Sequence, residues 1–224
     1  RNGWCLAMGR SVNNMAVALF GGTFNPVHIG HLRIATELAE LLQVDHLRLL
    51  PCAFPPHRGE PQASAEQRLA MLTTATANQS MLVADDMELH RATPSYSIDT
   101  LALVRQQMGD TEPLFFCIGM DALIKINTWQ RWQELLLHCH IVVSSRPNTE
   151  QPQSGPVADW IAQHRCDDLD TMQQRPAGNL YFCDLTMLDI SSTGIREKIA
   201  QGKSINFMTP DTVVEYIQQH HLYE

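Results

Sequence analysis

The sequence predicts an α/β protein with a doubly wound, mostly parallel sheet and a small helical part at its C-terminal end. Short apolar runs alternate with segments of helical periodicity along the chain, and this alternation is typical of a parallel sheet covered by helices. Two of the apolar runs end at glycine, one at Gly21-Gly22 and one at Gly119. Because such sheets bind ligands at the carboxyl ends of their strands, both glycine turns are expected to face the same cleft.

Each element is justified by its own pattern. In the first helix Leu32, Ala35, Leu38, Ala39 and Leu42 recur at helical spacing on one face, whereas the strands are short apolar runs. Predicted strands cover residues 16–20, 46–50, 81–84, 114–118, 141–144 and 181–184. Predicted helices cover residues 32–42, 65–78, 97–108, 132–137, 157–164, 191–201 and 211–220.

The length of 224 residues is compatible with one large domain. We assign residues 15–224 to a single domain, in which residues 190–224 are the C-terminal helical part. Residues 147–178 carry prolines, glutamines and an acidic patch, and they are interpreted as a surface excursion with one helix. Residues 1–14 precede the first strand pattern and are expected to be a non-native or disordered extension, without the apolar core of a secretory signal.

Charge and hydropathy exclude several classes of protein. The formal net charge of −8 argues against a protein that grips a nucleic-acid backbone, although a small phosphorylated ligand needs only a few local donors. No apolar run approaches the ~20 residues that span a bilayer, so no membrane contact is expected. The 6 cysteines are scattered without a C-x-x-C pair. They are interpreted as reduced thiols of a cytoplasmic protein.

The first candidate site lies at a predicted strand–helix junction. Its glycines let the backbone approach a ligand closely, and the helix start presents unpaired N–H groups and the positive end of the helix dipole. His28 and His31 fall on one face of the first turn, and Gly30 leaves room between them. A lone histidine would favour an ordinary surface role, but the whole string favours an oxyanion-binding corner. The string reads Gly21-Gly22-Thr23-Phe24-Asn25-Pro26-Val27-His28-Ile29-Gly30-His31.

A second candidate site precedes the next-to-last predicted helix. Ser191 or Ser192 is a plausible N-cap, and the helix start again offers N–H groups to phosphate oxygens. Arg196 adds a forked cation that suits phosphate. In isolation this would be a plain capped helix, so its interpretation depends on the first site. The string reads Ile190-Ser191-Ser192-Thr193-Gly194-Ile195-Arg196.

The two strings together resemble the signatures of the nucleotidyltransferase superfamily, which has a Rossmann-like fold and includes nicotinate mononucleotide adenylyltransferase, phosphopantetheine adenylyltransferase and the cytidylyltransferases. An ordered series of weaker features resembles the bacterial nicotinate mononucleotide adenylyltransferases from residue 15 to residue 223. Ser97 and Asn25 stand where that family often has threonine and aspartate. The series is Pro55-Pro56-His57-Arg58, Pro94-Ser95-Tyr96-Ser97, Ile118-Gly119-Met120-Asp121, Trp129 and Ser145-Arg146-Pro147.

The resemblance implies transfer of AMP from ATP to nicotinate mononucleotide, with catalysis by His28, His31 and Arg196. Backbone N–H groups near Trp129 and a hydroxyl would select the acid over the amide. Mg²⁺ would arrive with ATP, and no dedicated metal site is expected. The implied residues for nicotinate mononucleotide are His57, Arg58, Ser97, Trp129 and Gln130, with Ile118 in the adenosine pocket. The implied residues for ATP are Gly21, Gly22, Thr23, Phe24, His28, Gly30, His31, Gly119, Asp121, Arg146, Ile190, Ser191, Ser192, Thr193 and Arg196.

Three alternatives stay open at this stage. The string His28-Ile29-Gly30-His31 also occurs in class I aminoacyl-tRNA synthetases, but the chain is short, acidic and without an evident K-M-S-K-S element. Phosphopantetheine adenylyltransferases do not share the features around Ser97 and Trp129. A nucleotide-sensing module would bind ATP without turnover. The sequence leaves the oligomeric state open between a monomer and a small homo-oligomer.

Overall fold

The computed structural model describes residues 16–53, 61–91, 96–145 and 150–224, and within them it has one six-stranded sheet whose paired strands are all parallel. The strand order is β3-β2-β1-β4-β5-β6. The strands are β1 (Val17–Gly22), β2 (Leu47–Pro51), β3 (Leu82–Ala84), β4 (Leu114–Gly119), β5 (His140–Ser145) and β6 (Leu180–Asp184). The helices are α1 (Ile29–Leu42), α2 (Ala65–Thr76), α3 (Ser97–Met108), α4 (Met120–Ile124), α5 (Pro156–His164), α6 (Leu169–Gln173), α7 (Ser192–Ala200) and α8 (Asp211–Gln219).

The strand order indicates where along the sheet a ligand crevice is expected. Strands β1 and β4 are neighbours, and the chain winds outwards from them in opposite directions through β2 and β3 on one side and β5 and β6 on the other. Ligands of doubly wound sheets bind in the crevice outside the carboxyl ends of the strands at such a reversal. The turns after β1 and β4 therefore border one crevice, as the glycine pattern predicted.

Both faces of the sheet are covered, which explains why the strands are apolar without strict alternation. In β1, Ala18 and Phe20 point into the core that contains α1 and α8, whereas Leu19 points into the core that contains α3 and α5. In β4, Phe115 points into the first of these cores and Phe116 into the second. The sheet is therefore packed between helices on both faces, and the loops at its carboxyl edge start from buried strands.

The predicted fold class is confirmed, and the differences concern short elements. Residues 132–137 form a 3-10 helix rather than an α-helix, and a shorter 3-10 turn covers Ile126–Thr128. Helices α4 and α6 were not predicted, because segments of 5 residues are too short to show helical periodicity.

Residues 150–178 hold more packed structure than the expected surface excursion with one helix. They connect β5 to β6 through α5 and α6. Trp160 of α5 is 5% exposed and Met172 of α6 is 0% exposed, so both contribute to the cores. No helix of the described ranges is long and apolar enough to cross a bilayer.

The C-terminal helical part lies against the loop between β1 and α1. The backbone N–H of Ile29 donates to the Met208 carbonyl at 3.0 Å, and the Thr209 hydroxyl donates to the Val27 carbonyl at 2.8 Å. These bonds join segments that are far apart in sequence. The first candidate site is therefore held by residues from the other end of the described chain.

Candidate active site

The loop after β1 turns sharply around a buried ring. Phe24 has a left-handed backbone with φ 48° and is 1% exposed. The centroid of its ring lies 6.0 Å from that of Phe20 and 5.0 Å from that of His31, and both pairs of rings meet edge to face. A Cβ at Gly22 would lie 2.9 Å from the Phe24 ring. Gly22 is therefore required so that the Phe24 ring can pack against His31.

His28 and His31 cap the first turn of α1 reciprocally. The His31 N–H donates to Nδ1 of His28 and the His28 N–H donates to Nδ1 of His31, each at 3.3 Å. The two rings stack with centroids 3.6 Å apart and planes inclined by 25°. Because both Nδ1 atoms accept hydrogen bonds, each neutral imidazole carries its proton on Nε2. The capping box thus fixes the tautomer that can donate to an anion.

Gly30 makes this arrangement sterically possible. A Cβ on Gly30 would lie 3.0 Å from Nδ1 and 3.1 Å from Cε1 of His28. Any side chain there would press against the imidazole that caps the helix. The room that Gly30 is expected to leave between the two histidines is thus also the space that the His28 imidazole requires.

The second motif forms the capped start of α7. Ser191 is the N-cap, and its hydroxyl accepts from the Gly194 N–H at 3.1 Å. The Ser192 hydroxyl donates to the Pro26 carbonyl at 2.9 Å. The Arg196 guanidinium donates to the Asn25 carbonyl at 2.7 Å and to the Thr193 hydroxyl at 3.3 Å. The two motifs that are distant in sequence therefore touch each other directly.

Arg68 supports the same loop and was not predicted. It lies on α2 with 1% exposure, and its guanidinium donates to the carbonyls of Thr23 at 2.9 Å, Ala53 at 3.3 Å and Ala63 at 3.3 Å. Burial lowers the pKa of Arg68 from its ordinary value. The side chain joins the ends of β1 and β2 and sets the position of Thr23.

Two cavities open at the carboxyl edge of the sheet. The first encloses about 410 Å³ and contains the predicted pyridine group, Ser97, Trp129 and Gln130. The second encloses about 760 Å³ and contains the second motif together with His28 and Gly30. Five residues line both cavities and form a shared wall, namely Thr23, His31, Ile34, Asp121 and Met187.

The first cavity is lined by both aromatic and polar side chains. The rings of Trp129 and Phe116 meet edge to face at 6.3 Å. The start of α3 brings Ser97 and Thr100 to the cavity, and the Thr100 hydroxyl donates to a Glu88 carboxylate oxygen at 2.9 Å. This composition suits a flat ring that carries a polar substituent.

Backbone N–H groups near Trp129 are expected to select the acid, and one of them is already used. The N–H of Trp129 itself donates to the Ile126 carbonyl at 2.9 Å at the end of the 3-10 turn. A carboxylate in this cavity would therefore need a donor other than this N–H. Ser97 is the first residue of α3, where backbone N–H groups have no intrahelical acceptor.

The other predicted site residues are placed as follows. Gly21, Gly22, Thr23, Phe24 and Gly119 line the first cavity. Gly119 and Ile118 therefore lie with the pyridine group rather than with the second motif, and their predicted contact with adenosine stays a prediction. Ile190, Ser191, Ser192, Thr193 and Arg196 line the second cavity. His57, Arg58 and Arg146 lie outside the described residues.

Residues 16–53, 61–91, 96–145 and 150–224 contain no group of three or more His, Cys, Asp or Glu side chains arranged to hold a metal ion.

Comparisons with known proteins point to one family. A model of the cytidylyltransferase-like family matches residues 19–198. A Pseudomonas fluorescens protein named "Probable nicotinate-nucleotide adenylyltransferase" is 47% identical over 207 residues, which cover 92% of this chain and 96% of the relative. A Pseudomonas aeruginosa protein of the same name has the same identity and coverage.

Solved structures agree on the fold. The nicotinic acid mononucleotide adenylyltransferase of Plasmodium falciparum, solved in complex with NaAD, superposes with a TM-score of 0.70. The alignment covers 93% of this chain and 97% of that one at 17% identity.

Proposed function

The chain belongs to the nicotinate-nucleotide adenylyltransferases within the cytidylyltransferase-like family, and on this premise we propose that it transfers AMP from ATP to nicotinate mononucleotide. The products are nicotinate adenine dinucleotide and pyrophosphate. The observation that supports this function is the pair of cavities that meet at His31, one lined by Trp129 and Phe116 and one that contains the start of α7. A dinucleotide product needs one cavity for each half and a phosphate bridge between them.

The chemistry requires charge stabilisation rather than a base. The attacking phosphate oxygen is already an anion, and it displaces pyrophosphate in line from the α-phosphorus of ATP. Such a transfer depends on positioning and on donors aimed at the developing charge. We assign this task to the Nε2–H groups of His28 and His31, whose tautomers the capping box fixes before the substrate arrives.

The second motif is assigned to the departing pyrophosphate. Arg196 and the first N–H groups of α7 supply positive potential at the second cavity. The Ser192 hydroxyl donates to Pro26, so Ser192 contributes through its backbone N–H in this arrangement. The Thr193 hydroxyl accepts from Arg196 and can donate its own hydrogen to a phosphate oxygen.

The start of α3 is assigned to the nicotinate carboxylate. Ser97 brings a hydroxyl and an N-terminal backbone N–H to the first cavity, and the helix dipole favours a negative group there. Trp129 would pack against the pyridine ring. An amide in place of the carboxylate would bring its own donors against these donors, which disfavours nicotinamide mononucleotide.

We further propose that Mg²⁺ enters as part of the Mg-ATP substrate, bound by phosphate oxygens and water. A cytoplasmic location and a single domain over residues 15–224 belong to the same proposal. Free thiols support the location, because disulfides are rare in the reducing cytoplasm. In the described ranges the free cysteines are Cys52, Cys117, Cys139, Cys166 and Cys183.

One assay tests the function. The protein is mixed with Mg-ATP and, separately, nicotinate mononucleotide, nicotinamide mononucleotide and phosphopantetheine, and pyrophosphate release is followed while the product is identified. We expect clear preference for the nicotinate compound. Turnover of phosphopantetheine alone would overturn the assignment of the first cavity. ATP binding without turnover of any acceptor would favour a nucleotide-sensing module.

A further inference from the structure

Tyr223 reaches the phosphate corner from the turn after α8. Its side chain is 7% exposed, and its hydroxyl donates to the side-chain oxygen of Asn25 at 2.7 Å. Asn25 is equally buried at 7% and belongs to the loop between β1 and α1. The tyrosine also lines the second cavity. A residue from the last turn of the described chain thus contacts the first motif.

Asn25 connects this tyrosine to the second motif. The backbone carbonyl of Asn25 accepts from the Arg196 guanidinium at 2.7 Å. The same residue is therefore held through its side chain by Tyr223 and through its backbone by Arg196. A shift of Asn25 would move the acceptor that orients Arg196.

The backbone around Tyr223 adopts an unfavourable conformation. Tyr223 has φ 68° and His221 has φ 50°, both in the left-handed region that side chains disfavour. Between them, Leu222 is 7% exposed and its N–H donates to the Ile217 carbonyl at 3.0 Å. Strained residues persist where the surrounding contacts over-determine them, and they concentrate at functional sites.

We propose that Tyr223 is a positioning residue for the departing pyrophosphate, because its hydroxyl holds Asn25 and Asn25 holds Arg196. This inference rests on the proposed function, in which Arg196 meets the β- and γ-phosphates. Arg196 keeps one further bond to Thr193, on its own helix. The bond to Asn25 is the one that fixes the guanidinium relative to the loop of His28 and His31.

The hydroxyl keeps its proton across the working pH range. Burial raises the pKa of Tyr223, although Arg196 and Arg68 act in the opposite direction. The group therefore remains a hydrogen-bond donor to Asn25 wherever the protein is folded near neutral pH. Substitution by phenylalanine removes this donor and leaves the ring in place.

The test compares Tyr223→Phe with Tyr216→Phe, a matched change on α8. Tyr216 packs its ring 4.2 Å from that of His220 and is absent from the lining of both cavities. We expect Tyr223→Phe to lower kcat by about 5- to 20-fold, the size of one hydrogen bond lost in the transition state. The KM for nicotinate mononucleotide should stay within about twofold, because its cavity does not contain Tyr223. Tyr216→Phe should match the wild type.

A double-mutant cycle separates positioning from stability. In an Arg196→Ala background, Tyr223→Phe should lower kcat by less than about twofold, because the group it positions is gone. All rates are measured at a temperature where urea unfolding shows each variant to be folded. An equal loss of kcat in both backgrounds, or an unchanged kcat in Tyr223→Phe, would overturn the inference.

Binding of α,β-methylene ATP gives a readout that does not need turnover. This analogue cannot be cleaved at the bond that the reaction breaks, and its affinity is measured by calorimetry. We expect roughly 3- to 10-fold weaker binding for Tyr223→Phe and no change for Tyr216→Phe. Equal affinities for Tyr223→Phe and the wild type would contradict the positioning of Arg196. A wild-type protein without activity would instead refute the proposed function.

Discussion

Two buried arginines hold opposite edges of the sheet, and only one of them borders the candidate site. At the amino edge, Arg105 of α3 donates to the carbonyls of His138 at 2.8 Å, Glu112 at 2.7 Å and Pro176 at 2.6 Å, which precede β5, β4 and β6. At the carboxyl edge, Arg68 holds the carbonyl of Thr23, which lines both cavities.

The two arginines should be alike in their effect on stability and different in their effect on the reaction rate. Both side chains satisfy backbone carbonyls in the interior, and burial lowers the pKa of each. Loss of either should destabilise the fold, because buried carbonyls without donors are costly. Among the residues whose carbonyls these two arginines hold, only Thr23 at the carboxyl edge lines a cavity. The amino edge is therefore expected to affect stability alone, and the carboxyl edge both stability and rate.

The largest expected effect lies in the shared wall of the cavities. His31→Ala removes the donor that we assign to the transition state, so it should lower kcat by about 10²–10⁴-fold with a modest change in KM. The lost capping bond should destabilise the protein by roughly 1 kcal/mol. Steady-state kinetics and urea unfolding measure the two effects separately.

The control for this prediction is an exposed histidine at the other edge. His46 precedes β2 and pairs with the Ser80 carbonyl at 2.9 Å. His46→Ala should leave kcat within about twofold of the wild type, as surface changes usually do. A near-normal kcat in His31→Ala would remove the imidazole from its assigned role.

A smaller effect tests the two arginines directly. Arg68→Met and Arg105→Met keep the length of the side chain and remove its donors, so each should destabilise the protein by roughly 2–4 kcal/mol. At a temperature where both are folded, Arg68→Met should lower kcat at least about tenfold, because small displacements of positioned groups are costly. Arg105→Met should retain the wild-type kcat. Equal kcat values for the two variants would show that the edges do not differ in function.

The smallest expected effect is a pH dependence of stability at the amino edge. His140 is 0% exposed; its Nδ1 accepts from the Asn179 N–H at 3.2 Å and its Nε2 lies 2.8 Å from the Arg175 carbonyl. Burial lowers the pKa of His140 from the ordinary value of 6.5. The unfolded chain therefore binds more protons, and stability should fall as the pH drops below that value. One histidine contributes at most about 1.4 kcal/mol per pH unit.

Urea unfolding at several pH values from about 7.5 to about 5.5 measures this slope. Burial also lowers the pKa of His138, so that residue adds to the same trend. His140→Asn should reduce the slope. A slope unchanged in His140→Asn would assign the acid sensitivity to other groups.

The sequence was sufficient for the main architecture because burial on both faces leaves strong apolar runs. The strands and long helices were predicted within a few residues, and the family prediction is confirmed by the relatives. Helices α4 and α6 lack enough turns to show a period. Residues 132–137 form a 3-10 helix. A 3-10 helix differs from an α-helix in its hydrogen-bond pattern, which the apolar residues of so short a segment do not reveal.

The sequence predicted the two contiguous motifs, which the structure brings together, but it missed residues that support them from distant parts of the chain. Arg68 follows Glu66 and Gln67 and looks like a surface residue of a polar helix start. A signal was present, because Arg68 precedes the buried Met71 and Leu72 by three and four residues and so lies on the buried face of α2. Tyr223 offered no such signal, since its partner Asn25 is brought to it only by the folded chain.

The shared wall between the two cavities, which includes His31, has a consequence for inhibitor design. A compound with one fragment for each cavity, joined past His31, makes the second binding step intramolecular, and its affinity can exceed that of either fragment by about 10²–10⁴-fold. The linker would pass the imidazole that is assigned to the reaction. On this assignment, we expect a resistance substitution at His31 to lower the activity of the enzyme as well.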